Sequence, residues 1–140
     1  MNRTRLIISA VVVFIVFQIM EYIVHKVILK STYLSLASLW RPEAEFQSKM
    51  WIMMLTSLVW SFLFVYFYAK ACKSGGLMTG IRYGFLMGLF FVFPMSYNSY
   101  VVLPIPYHLA LNWFLYGMGE IIIAGIIVAL LYKPLSAEDA

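Results

Sequence analysis

The chain has 140 residues, of which 64% are hydrophobic and 11% charged, with a formal net charge of +4. Those proportions lie far outside the soluble range and exclude an ordinary water-soluble domain. The small basic excess is spread over chain ends and connections, so neither nucleic acid nor strong binding to anionic lipid is implied, and the single cysteine, Cys72, excludes an internal disulfide.

The first element is the apolar stretch Leu6–Val24, interrupted by Ser9, Gln18 and Glu21. About 20 such residues in a helix span the hydrocarbon core of a bilayer. Arg3 and Arg5 ahead of it resemble the start of a secretory signal. Glu21 to Lys30 offers no small-x-small cleavage site, however, and Ser35/Ala37 lies too far beyond the apolar run. The segment therefore reads as a retained helix over about 5–29. Residues 31–40 (STYLSLASLW) read as a stretch lying along the interface. Arg41-Pro42-Glu43-Ala44-Glu45 then predicts a helix start, because proline suits the first helical position and carboxylates suit the positive end of the helix dipole. Glu45 and Lys49 add a pair four apart in the favourable order. This second helix spans about 42–72 and contains the uncharged run Met50–Ala69.

Gly75-Gly76 is expected to cap the second helix and Thr79 to cap the third, over about 79–102. Pro94 lies inside that third helix and frees the carbonyl of Phe90. Ser96-Tyr97-Asn98-Ser99-Tyr100 makes its last third polar. A broken polar half-helix is a device of transporter sites, although a proline kink satisfied by neighbouring helices is commoner. Pro104 and Pro106 form a tight turn. The fourth helix follows over about 106–133 and is stopped by Pro134.

The expected fold is an all-α, four-helix transmembrane bundle of two helical hairpins. It forms one integral membrane domain over 1–140. With both termini cytoplasmic (N-in/C-in), Arg3, Arg5, Lys70, Lys73, Arg82 and Lys133 lie inside, and Lys26, Lys30, Arg41 and Lys49 outside. The positive-inside rule favours this orientation in a multi-pass protein of the inner (plasma) membrane. Aromatic residues at the segment ends fit two interfacial belts: Tyr22, Trp40, Trp51, Tyr100 and Tyr107 outside, and Tyr68, Tyr83 and Tyr132 inside.

Polar residues within such spans are costly and usually face the bundle interior. Gln18, Glu21 and His25 share one face of the first helix, at spacings of three and four. His108, Asn112, Tyr116 and Glu120 form a four-residue-spaced stripe on the fourth. If His25 and His108 are level, a rise of about 1.5 Å per residue sets Glu21 opposite Asn112 and Gln18 opposite Tyr116, with Glu120 about 18 Å deeper than His108. At that depth the second helix offers Ser57, Trp60 and Ser61. The expectation is a polar seam between the first and fourth helices. Interhelical hydrogen bonds that fix which faces meet are one reading of it. A proton or solute pathway centred on Glu120 is a second. A metal or haem site built from Glu21, His25 and His108 is a third, because two imidazoles and a carboxylate are a plausible ligand set.

Gly80, Gly84 and Gly88 form a small-residue stripe on the third helix, expected to pack closely against another helix. No phosphate loop, nucleophile elbow or metalloprotease motif occurs in the sequence. Cys72, at the end of the second helix, is a candidate for acylation or redox chemistry but reads better as a spare interfacial thiol.

The runs Leu39-Trp40-Arg41-Pro42-Glu43, Lys49-Met50-Trp51, Tyr68-Ala69-Lys70, Gly80-Ile81-Arg82-Tyr83-Gly84, Leu103-Pro104-Ile105-Pro106-Tyr107 and the segment 125–134 (GIIVALLYKP) are further marks of the chain. On these motifs it resembles a family of small uncharacterised four-helix bacterial membrane proteins of unknown function. The resemblance implies a bacterial inner-membrane location and carries no activity, substrate or site residue. The leading functional expectation is a non-enzymatic membrane protein, an accessory or scaffold subunit of a larger complex. The alternatives are a small proton-linked transporter or channel using the seam, and a metal- or haem-dependent membrane redox protein. Membrane lipids are the implied partners, with a homo-oligomer or other membrane subunits. The sequence assigns no cofactor.

Overall fold

A computed structural model of the chain describes residues 2–73 and 75–132. All regular structure among them is helical. Helix α1 (Arg3–Tyr22) starts at Asn2, whose side-chain oxygen accepts a hydrogen bond from the Arg5 backbone N–H at 3.0 Å. It runs on into a π-helical stretch, Ile23–Ile28, closed by a bond of 2.8 Å from the Leu29 N–H to the Val24 carbonyl. The chain then folds through a short helix α2 (Lys30–Ser35) and a 3-10 turn (Ala37–Leu39). Three long helices follow: α3 (Glu43–Ala71), α4 (Leu77–Val102) and α5 (Tyr107–Leu131). Among the described residues, four helices are long and apolar enough to cross a membrane: Arg3–Ile28, α3, α4 and α5.

The α3 start follows from its residues. Pro42 stands just before the first turn, with its carbonyl accepting from the Phe46 N–H at 2.9 Å. Glu43 and Glu45 occupy that turn, where the unpaired N–H groups favour negative charge. Glu45 bonds Lys49 at 3.1 Å and also pairs with Arg41.

The α3–α4 connection departs from expectation. Helix α3 ends at Ala71 on Cys72, in extended conformation, so Gly75-Gly76 does not cap it. Gly76 instead stands before α4 at φ 111°, a conformation that glycine adopts without steric cost. Its carbonyl accepts from the Gly80 N–H at 3.1 Å. Thr79 is not the cap of α4. It lies inside the first turn, and its hydroxyl reaches back to the Gly75 carbonyl at 3.4 Å. Helix α4 also continues unbroken through Pro94, so it is not split into half-helices. Lys133 and Pro134, the expected end of the last helix, lie outside the described residues.

The helices form a four-membered ring. α4 lies closely along α5, α5 packs on α1, and α1 packs on α3. The fourth edge, between α3 and α4, is bridged by side chains: the Tyr83 hydroxyl donates to the Phe64 carbonyl at 2.5 Å, and Trp60 meets Phe91 edge-on. Residues at three- and four-residue spacing supply the core. Leu6, Ala10 and Val13 of α1, Phe64, Val65 and Tyr68 of α3, and Ile121, Ala124 and Val128 of α5 meet there.

The three tyrosines expected in an inner interfacial belt belong to this core. Tyr68 and Tyr132 are buried and in edge contact, and Tyr68 meets Tyr83 likewise at 5.2 Å between ring centroids. A tyrosine at a helix end suits a core and a belt equally by composition. The closing together of the helices at this end decides for the core. Trp40 of the other belt also turns inward, whereas Tyr22, Trp51, Tyr100 and Tyr107 are exposed.

Candidate functional site

The site lies between α1 and α5, towards the end of the bundle that carries α2. Here a second, smaller core forms from Val24, Leu29, Ile105, Leu109 and Ala110, with Tyr33, Trp40 and Trp113 packed against it. It draws α2 and the following turn back over the ends of α1 and α5. Tyr33 is the pivot. Its hydroxyl accepts a hydrogen bond from Trp113 Nε1 at 2.7 Å and lies 2.5 Å from His25 Nδ1. Its ring stacks on His25 and meets Trp40 edge-on. Burial pushes the Tyr33 hydroxyl up to about 12, so it keeps its hydrogen at neutral pH.

The donors and acceptors fix the direction of these bonds. An indole N–H can only donate, so the phenol oxygen is its acceptor. The phenol hydrogen is then free for His25 Nδ1. The remaining hydrogen of a neutral imidazole sits on Nε2, which lies 3.4 Å from Glu21 Oε2. Glu21 in turn faces Glu120 of α5 across the interface. Glu120 is 6% exposed, and its Oε1 is buried without a hydrogen-bond partner. Tyr33, His25, Glu21 and Glu120 thus form one string of polar groups from the α2 end into the middle of α5.

The two carboxyl groups are the chemically informative part. Ionised carboxylates are acceptors only and cannot bond to each other. One proton between them turns the contact into a hydrogen bond and removes one of two charges from apolar surroundings, where a lone charge is costly. Beside them a groove of about 230 Å³ opens between α1 and α5, lined by Met20, Ile23, Val24, Leu115, Tyr116, Gly119, Glu120 and Ile123.

The expected seam is therefore present in part, with its register displaced. Glu21 meets Glu120 and not Asn112, a shift of about two turns along α5. Level ends at His25 and His108 were the faulty premise. Val24 and Leu29 are the residues packed near Leu109 and Ala110, so α1 reaches farther along α5 before the chain turns. His108 is exposed and takes no part in the string. Asn112 is half-buried, Tyr116 stands on the rim of the groove, and Gln18 is half-buried with its amide nitrogen unpaired. Ser61 does not serve Glu120, since its hydroxyl has no partner, and Trp60 stacks on Phe17 and Phe64.

The candidate metal set is not assembled. No group of three or more His, Cys, Asp or Glu able to hold a metal ion occurs among the described residues. Glu21 and His25 come together, but His108 does not join them. Cys72 is half-buried, and burial pushes its thiol up, away from the reactive thiolate. A second groove of about 360 Å³ between α3 and α4 is walled by apolar side chains, with the Thr56 hydroxyl as its polar exception.

The glycine stripe has a packing role. A Cβ at Gly80 would stand 2.5 Å from the Gly125 carbonyl oxygen, and one at Gly84 would stand 2.6 Å from Ile122 Cα. At Gly88 it would meet Met118 Sδ at 2.6 Å. All three lie against α5, which returns the approach through Gly117 and Gly125.

One member of the string, Tyr33, and its support Trp113 are invisible to a search of the spanning stretches for polar residues. Tyr33 lies outside those stretches. Its signal is an aromatic, hydroxyl-bearing residue eight positions from His25 in a segment too short to span. Comparison with known protein families, with curated proteins and with solved structures found no match to this chain.

Proposed function

We propose that this chain is a multi-pass protein of the bacterial inner membrane, N-in/C-in and non-enzymatic, that binds and releases protons at Glu120 as a small proton-linked transporter. The observation that carries this reading is the string Tyr33–His25–Glu21–Glu120. An imidazole between a phenol and a carboxylate can pass a proton by taking one at Nδ1 while yielding one from Nε2. Glu21 then hands it to Glu120 across their contact. Beyond Glu120, α5 continues as Ile121–Leu131 without a titratable side chain. The string therefore ends at the middle of the helix and reaches one face of the bundle. That is the form of a coupling site, which must be exposed to each side in turn, and not of a continuous pore.

The direct test is infrared difference spectroscopy of the reconstituted protein during a pH titration. A protonated-carboxyl stretching band should appear and vanish with pH, disappear in Glu120→Gln, and shift in Tyr33→Phe. Absence of any titrating carboxyl band overturns the proposal. Orientation is tested separately with Cys72→Ser as background and a new thiol from Ser38→Cys. Labelling of that thiol in intact cells is expected; labelling after permeabilisation alone inverts the topology.

A scaffold role in a larger membrane complex is the second reading. The long apolar flank of α3 favours it, since Met50 to Leu55, Leu58, Val59, Phe62 and Leu63 are all exposed. Stable co-purification of other membrane subunits, abolished by polar substitutions along this flank, is its test.

A further inference from the structure

We infer that the groove between α1 and α5 is a binding site for a protonated amine carrying an apolar chain, taken up from the lipid phase. The inference rests on the membrane-embedded reading above and adds the chemical class of the ligand. Three observations converge on it. The first is an orphan acceptor. Glu120 lines the groove, is 6% exposed, and has an Oε1 without a donor. A buried acceptor left unpaired is costly, and an ammonium group supplies the missing donor with the right charge.

The second observation is charge. Glu21 and Glu120 can hold one proton between them and still leave one negative charge. His25, neutral, already spends Nε2–H on Glu21 and Nδ1 on Tyr33. No charged side chain occurs in residues 50–69 of α3 or 83–102 of α4, so the neighbouring helices bring no cation to this depth. The site lacks a counter-charge, and a ligand can supply it. Proton and amine then compete for one carboxyl pair, which is the exchange that couples a substrate to protons.

The third observation is the walls. Apart from Glu120, the rim and sides are apolar or aromatic, and Ile23, Leu115 and Ile123 are exposed at the mouth. In a bilayer that mouth opens sideways to acyl chains. Tyr116 lines the rim, and an aromatic ring favours a cation over a neutral group. Glu120 is the fourteenth residue of α5, about 20 Å from its start. That depth is beyond the reach of a phospholipid headgroup held at the surface. Gly119 gives the groove its room, for a Cβ added there meets nothing within 4 Å.

The test is equilibrium binding of radiolabelled n-octylamine to the purified full-length protein, with displacement by excess unlabelled n-octylamine. Saturable binding is expected, weakening as pH falls and protons reclaim the carboxyl pair. Gly119→Leu should fill the groove without touching the string, leave thermal stability unchanged and reduce affinity at least tenfold. Glu120→Gln should do the same to affinity by removing the charge. n-Octanol, of equal chain length but neutral, should not compete. No saturable binding, competition by n-octanol equal to that of the amine, or full affinity in Gly119→Leu each overturns the inference. Tyr33→Phe separates it from the proton string: that variant should shift the carboxyl band and leave amine binding intact.

Discussion

α5 is held on one side by α4 and on another by α1, and the two contacts are opposites. Against α4 the backbones nearly touch. Gly80, Gly84 and Gly125 leave no Cβ between them to hold the two backbones apart. Against α1 the helices stand apart by whole side chains. The space holds two carboxyl groups and an open groove. Close approach gains dispersion contacts and tolerates no change, whereas separation forfeits contacts and leaves room for chemistry. One helix thus carries the anchor of the bundle on one face and its candidate site on another.

The contrast is broken most severely by Gly84→Leu. Its side chain would be driven into the backbone of Ile121 and Ile122, and overpacking of this kind costs about 1–3 kcal/mol or more. A clear fall in thermal unfolding temperature in detergent is expected. Gly119→Ala, on α5 and facing open space, should change it by less than about 0.5 kcal/mol. Equal effects at the two positions would show that the interfaces do not differ.

A smaller effect is expected at the carboxyl pair. Glu120→Gln places an amide N–H₂ against Glu21 and keeps a hydrogen bond across the contact without the shared proton. Stability near neutral pH should hold or rise by up to about 1 kcal/mol. A loss of several kcal/mol in thermal or denaturant unfolding would mean that Glu120 accepts a bond the structure does not contain.

The smallest effect concerns Tyr33. Its hydroxyl is held near 12 by burial, above the ordinary value of 10.0. A raised value means that the stability it lends is fully present below about pH 10 and is lost as pH rises through about 12. Tyr33→Phe should therefore reduce by one the number of phenols that titrate late in tyrosinate absorbance. In the variant, the packing of α2 on α5 should weaken modestly at all pH values, because the Trp113 N–H loses its acceptor.

The sequence made the long helices legible because uninterrupted apolar runs such as Met50–Ala69 admit few other structures. Gly80, Gly84 and Gly88 were legible as one stripe for an equally simple reason: four-residue spacing keeps them on one face. The pairing of Glu21 with Glu120 was not. Depth counting needs a common origin, and the π-helical stretch together with the overshoot of α1 moved it. Tyr33 was hidden because its partners His25 and Trp113 lie 8 and 80 residues away, and nothing local in STYLSLASLW predicts either contact. Gly76 took the place expected of Thr79 because a threonine hydroxyl and a glycine carbonyl are both competent at a helix start. The short connection selected the one that could turn at positive φ.

The π-helical stretch Ile23–Ile28 has a mechanical consequence. A π turn fits an extra residue into its circuit, so everything after it is rotated relative to an ideal helix by nearly a third of a revolution. Glu21 and His25 are four apart, a spacing that α geometry already brings together, whereas Tyr33 lies beyond the stretch and is placed by it. Tightening it to α geometry would rotate everything after Ile28 about the axis and carry the Tyr33 phenol away from the imidazole. The wider circuit thus sets the register between the half-buried phenol beyond it and the acids of the bundle.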